Sequence, residues 1–167
     1  MYGKSSSNHR IEAWWRILRQ QSMGFYINLF KDMVSFGILD TGNQLHVHAL
    51  RFAFWDLIEA DLQRTAIEWN RHRLQVKKNY EGVKGIPDML YFNPEAYSTR
   101  DYGLFCDPET VDPVLCDLEE NGSIPPAHDP DFVQLVNCML PSWSLPMNSV
   151  QAVRLFGEIV KAITHYL

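Results

Sequence analysis

The stretch Ser5-Ser6-Ser7-Asn8-His9-Arg10-Ile11-Glu12-Ala13-Trp14-Trp15-Arg16-Ile17-Leu18-Arg19 is a polar turn that opens straight into an amphipathic helix. Ser7 or Asn8 can cap that helix by accepting a bond from a free backbone N–H. Apolar residues then recur at Ile11, Trp14, Trp15, Leu18, Phe25, Leu29, Phe30 and Met33, which is the helical period and marks one buried stripe. At ~100° per residue, Glu12, Arg16 and Arg19 fall together beside the stripe. A carboxylate in the first turn is favoured by the helix dipole. Paired with Arg16 it contributes about 0.3 kcal/mol, a role that needs no chemistry. A helix with so wide an apolar side must be covered, and this sets the class of fold.

The rest of the chain reads as more helix. The first helix is predicted from about Asn8 to Phe36, stopping near Gly37, with a turn at Asp40-Thr41-Gly42-Asn43. A long second helix is predicted from His46 to about Lys77. It carries two apolar stripes, one through Leu50, Phe54, Leu57 and Ile58, the other through Phe52, Trp55, Leu62, Ala66 and Trp69. A helix apolar on two sides packs on two sides. Asn79 to Gly85 reads as a loop. Pro87 and Pro94 suit the first position of two short helices, with Asn93 as a cap. Residues 102–128, with Pro108, Pro113, Pro125 and Pro126, read as an extended acidic connector. A helix after Asp129-Pro130 carries Phe132, Leu135, Val136 and Met139. A last one from Asn148 or Ser149 carries Ala152, Leu155, Phe156, Ile159, Val160 and Ile163. No alternating strand pattern and no internal repeat is visible.

Composition bounds the function. A hydrophobic content of 46% over 167 residues supports a real core. Cys106, Cys116 and Cys138 are odd in number and lack a C-x-x-C spacing. That argues against a disulfide scaffold or zinc site, and the three are expected to be small, partly buried hydrophobes. No apolar run reaches the ~18 residues of a membrane span. With no targeting signal visible in the sequence, an intracellular chain is the expectation. The net charge of −5 hides an asymmetry. Residues 1–80 hold eleven Lys/Arg and seven Asp/Glu, whereas residues 81–167 hold four and thirteen. From Asp101 to Asp131 there are nine acidic residues and no Lys or Arg. Such a segment repels DNA. Phosphate binding needs clustered cations, and Arg71, Arg73, Lys77 and Lys78 form the best cluster, with Trp69 and Tyr80 nearby. The same residues also suit a solvated helix end, where cations meet the negative end of the dipole.

Four ordered blocks carry a resemblance. Ser7-Asn8-His9-Arg10-Ile11-Glu12-Ala13-Trp14-Trp15 resembles the block around the third acidic residue of integrase-core proteins, in particular the transposon-derived ones of animal genomes. Trp69-Asn70-Arg71-His72-Arg73 resembles their W-N-x-H-R signature. Gly85-Ile86-Pro87-Asp88-Met89-Leu90-Tyr91-Phe92 is similar to G-R-P-D-x-L-Y-F, with Ile86 where an arginine is usual. Tyr97-Ser98-Thr99-Arg100-Asp101-Tyr102 is similar to the segment that follows. The blocks span roughly residues 3–102, and the last third is matched only loosely.

The resemblance implies a ribonuclease-H-like fold on which three carboxylates hold two Mg²⁺ ions at a phosphodiester. It maps Glu12 onto the carboxylate of the helix. The two aspartates should precede it on strands, and the eleven residues before Glu12 contain no aspartate. The expectation is therefore a mainly α chain: the helical C-terminal part of an integrase core (residues 1–101), an acidic connector (102–128) and a C-terminal helical module (129–167). It should be catalytically incomplete, with no cofactor of its own. The resemblance further implies a nuclear location and weak, non-specific DNA contact through Arg16, Arg19, Arg71, His72, Arg73, Lys77 and Lys78. Equally, His72 and Arg73 could lock a helix end onto the core. Self-association through the Trp14/Trp15 stripe is expected, and no membrane. The competing class is a helical protein-interaction module co-opted from a transposon. His46-Val47-His48 is not expected to bind metal, because H-x-H on a helix sends the rings to different faces.

Overall fold

In the computed structural model, residues 9–73, 84–120 and 128–166 are described. Among them the regular structure is helical and no strand occurs. The cap expected at Ser7 or Asn8, the cluster members Lys77 and Lys78, and most of the 79–85 loop lie outside the described residues.

The first helical run is two α-helices joined by a turn of π-helix: α1 (His9–Leu18), the π-turn (Arg19–Met23) and α2 (Gly24–Ser35). The Gly24 N–H bonds to the Arg19 carbonyl, five residues back. A β-carbon on Gly24 would lie 2.7 Å from that carbonyl oxygen, so glycine is what the bulge admits. The π-turn adds one residue to the helical count, and this changes which face is buried. An uninterrupted period puts Phe25 in the stripe; Phe25 is exposed and Tyr26 is buried instead, in line with Met33. Gly37 takes φ 69° just beyond α2. There the Ile38 and Leu39 N–H groups both bond back to the Met33 carbonyl, and Leu39 turns into the core.

Asp40 Oδ1 accepts from the Gly42 N–H and Asn43 Oδ1 from the Leu45 N–H, making the turn that starts α3 (Gln44–Arg71) two residues earlier than predicted. The chain divides into two compact units, one of residues 1–65 and 128–167, the other of residues 66–127. In the first unit α3 is covered on two sides, as its two stripes require. Phe54 packs edge-on against Phe30 at 4.9 Å and Tyr26 at 6.4 Å. Phe52 meets Trp143 at 4.8 Å and Phe132 at 6.1 Å. Helix α4 belongs to the second unit and spans Pro87–Phe92.

The second unit also holds a 3₁₀ turn at Pro94–Tyr97 and helix α5 (Pro108–Glu120). Both short elements begin on the expected prolines. Asn93 makes no capping bond; its amide reaches Met89 Sδ at 4.0 Å. Helix α5 corrects the reading of 102–128 as extended. Pro108 serves as its first residue, Asp107 Oδ1 accepts from the Glu109 N–H, and Pro113 is carried inside it. Of the prolines that suggested a break, Pro108 is a helix start and Pro113 a tolerated interior residue, while Pro125 and Pro126 lie outside the described residues.

Helices α6 (Pro130–Met139) and α7 (Ser149–Tyr166) complete the first unit. Asp129 caps α6 through the Asp131 and Phe132 N–H groups. Asn148 Oδ1 accepts from the Gln151 N–H, and Gln151 Oε1 in turn accepts from the Met147 N–H, a reciprocal cap. The α7 stripe is buried at Ala152, Leu155, Phe156, Ile159 and Ile163 and half-buried at Val160. In α6, Phe132 and Val136 are buried, while Leu135 faces solvent. His46 lies against Phe156 of α7 and His48 stacks on Phe132 of α6, so the two rings do serve different faces. The three cysteines are exposed thiols rather than partly buried hydrophobes. Among the described residues no helix is long and apolar enough to cross a membrane.

Candidate nucleic-acid interface

Glu12, Arg16 and Arg19 lie on one continuous helical run, and all three are exposed. Arg19 opens the π-turn, the kind of bulge that recurs at functional sites. Within the same turn the Ser22 hydroxyl is buried and has no hydrogen-bond partner among the described residues. On this run Ile11 is 51% exposed and Trp15 60%, while Trp14 and Leu18 are half-buried. The stripe is thus only partly covered.

Below the π-turn, Tyr26 Oη donates to Asp61 Oδ2 at 2.6 Å, and Asp61 Oδ1 pairs with Arg64 at 3.0 Å. Burial first, and then the bond to the Asp61 carboxylate, push the Tyr26 hydroxyl up to about 12. The phenol is held neutral and donating. This ties α2, which continues the helical run from Arg16 and Arg19, to α3.

The W-N-R-H-R block forms the end of α3 and the residues just after it. The His72 N–H bonds to the Glu68 carbonyl, the His72 ring lies 4.3 Å from the Trp69 ring, and Nδ1 meets the Trp69 carbonyl. His72 closes the helix on its own last turn, while Arg71 and Arg73 are exposed. Two cations then stand at the negative end of a 28-residue helix.

The next two blocks wrap a cleft of about 580 Å³ that the sequence did not signal, lined by Leu90, Tyr91, Glu95, Arg100, Asp101 and Tyr102 among others. Ser98 turns the chain there with φ 57°. The Arg100 guanidinium sits 4.9 Å over the Tyr102 ring. Gly85 packs against Leu90 of the lining: a β-carbon on it would come within 3.1 Å of Leu90 and of the Tyr97 hydroxyl. The tight turn could be read from the glycine and prolines; the cleft depends on the chain reversal at Ser98 and could not.

The described residues do not fit the implied Mg²⁺ pair. Among them no group of three or more His, Cys, Asp or Glu side chains could hold a metal ion. Glu12 therefore completes no such set with the described residues. What the arrangement offers is exposed guanidinium groups on helical turns and just beyond the end of α3, which suits phosphate contact.

Comparison with known proteins adds one match. The family model described as integrase core domain matches residues 1–93. No curated protein and no solved structure matches the chain.

Proposed function

From the premise that the chain belongs to the integrase core domain family, we propose that it is a DNA-integration-related protein of transposon origin that contacts DNA and does not cut it alone. In this reading the family-matched helices are the helical part of a ribonuclease-H-like core. Glu12 is the single carboxylate of an incomplete site. Arg16, Arg19, Arg71 and Arg73, with Lys77 and Lys78, contact phosphates, and His72 holds the helix end in place. The nucleus is the compartment this activity needs. The observation that carries the reading is the exposure of Arg16 and Arg19 on the same helical run as Glu12, inside the matched residues.

The test is a pair of measurements on purified protein. Labelled duplex should bind weakly and without sequence preference, and plasmid with Mg²⁺ or Mn²⁺ should show neither nicking nor strand transfer. Metal-dependent cleavage that disappears in Glu12→Gln would overturn the incomplete-site reading. Absence of duplex binding at low salt would overturn the DNA reading. A second reading, a helical protein-interaction module, is favoured by one observation: α5 is amphipathic and every described side chain on it is exposed.

A further inference from the structure

Helix α5 has the pattern of a docking element. Val111, Val114, Leu115 and Leu118 follow the i, i+3, i+4, i+7 spacing of one helical face, and they are 36%, 57%, 46% and 37% exposed. The stripe runs over ~10 Å of helix. The other side is acidic. Residues 108–120 carry Glu109, Asp112, Asp117, Glu119 and Glu120 and no Lys or Arg. At ~100° per residue, Asp112 and Asp117 flank the stripe on opposite sides and Glu109 lies behind it. A 13-residue helix with an interior proline gains little from propensity alone, so covering the stripe is the main stabilisation open to it.

Charge decides what covers it. DNA and anionic lipid meet an acidic rim and are repelled. A second copy of the same helix would set five carboxylates against five. A protein groove with an apolar floor and a rim of Lys and Arg matches both halves of the pattern. Resting on the interaction-module reading, we propose that α5 docks into such a basic-rimmed apolar groove on another protein, with Val114 and Leu118 as its central anchors.

The probe is a labelled three-heptad helical peptide with leucine at a and d and lysine at e and g. Its counterpart carries glutamate at e and g. Anisotropy is read on the full chain at low and high salt, and sedimentation velocity is read in parallel. The lysine peptide should bind and the glutamate peptide should not. Val114→Ala with Leu118→Ala, which keep helix propensity at exposed positions, should lower affinity about tenfold or more. Asp112→Asn with Asp117→Asn should lower it several-fold at low salt and flatten the salt dependence.

Binding of both peptides alike, or binding untouched by the alanine pair, would overturn the proposal. Failure of the lysine peptide to bind, with self-association of the chain that Leu118→Asp abolishes, would overturn the basic-groove partner while leaving an interaction module. Failure of the peptide with no such association would overturn both.

Discussion

The Tyr26 hydroxyl reaches Asp61 at 2.6 Å across two helices, and that carboxylate is held from its other side by Arg64. A buried phenol that donates to a charged acceptor is stable only while it keeps its proton. Its folded value of about 12 lies above the ordinary 10. The stability it adds is therefore complete below pH 10 and is lost as pH rises towards 12. Tyr26→Phe removes the donor and leaves Asp61 with Arg64. It should cost about 1–3 kcal/mol at neutral pH. Chemical denaturation at pH 7, 10 and 11.5 should show the gap between wild type and variant closing on the alkaline side. A constant gap would mean that the ring, not the proton, provides the stabilisation.

Gly24→Ala sets two effects against each other. Alanine is the better helix former by about 1 kcal/mol. Against that, its β-carbon meets the Arg19 backbone carbonyl at 2.7 Å, with no flexible side chain to give way. The steric term should win, with a loss of about 1–3 kcal/mol and a Tm lower by several degrees. A raised Tm would show that the π-turn relaxes into regular α-helix without cost.

The π-turn also explains how far the sequence could be read. Caps and turn residues are local, so Gly37, the turn at Asp40, Asp129 and the α7 stripe through Phe156 were legible. Burial past an irregular turn is not local. One extra residue between Arg19 and Met23 moves the buried position from Phe25 to Tyr26, and no periodicity reports it. Helix α5 was hidden for another reason: Pro108 and Pro113 are breakers by composition, and only the cap at Asp107 reveals one of them as a start. In the candidate interface, the exposure of Arg16, Arg19 and Arg71 follows from helical spacing. The closure of His72 onto Trp69 and the cleft at Arg100 follow from contacts that spacing does not encode.

Ile11 and Trp15 leave large apolar area on the surface of α1. Patches of several hundred Å² on soluble monomers usually mark contact sites. The full chain should self-associate in sedimentation velocity at micromolar concentration and bind a hydrophobic dye. Ile11→Gln with Trp15→Gln should reduce both, with a change in stability within about 0.5 kcal/mol per site because neither side chain is buried. A monomeric, dye-silent wild type would show that this stripe is simply solvated.

The arginines give the sharpest quantitative expectation. Arg16, Arg19 and Arg71 are exposed on helical turns and Arg73 is exposed just beyond α3, and the sequence carries no visible groove-reading motif. Affinity for duplex should then come from phosphate neutralisation alone. Each contact releases counterions, so the four arginines alone should contribute roughly −3 to −4 to the log–log salt slope. Replacing a single arginine by glutamine should reduce the slope by ~1 and weaken binding to every duplex alike. Replacing His72 by glutamine should leave the slope unchanged, since its ring is engaged with Trp69, and should instead lower helix stability. Anisotropy titrations of two unrelated duplexes across a salt series separate these outcomes. If the four replacements leave binding and slope untouched, the exposed arginines serve only to solvate helix surfaces.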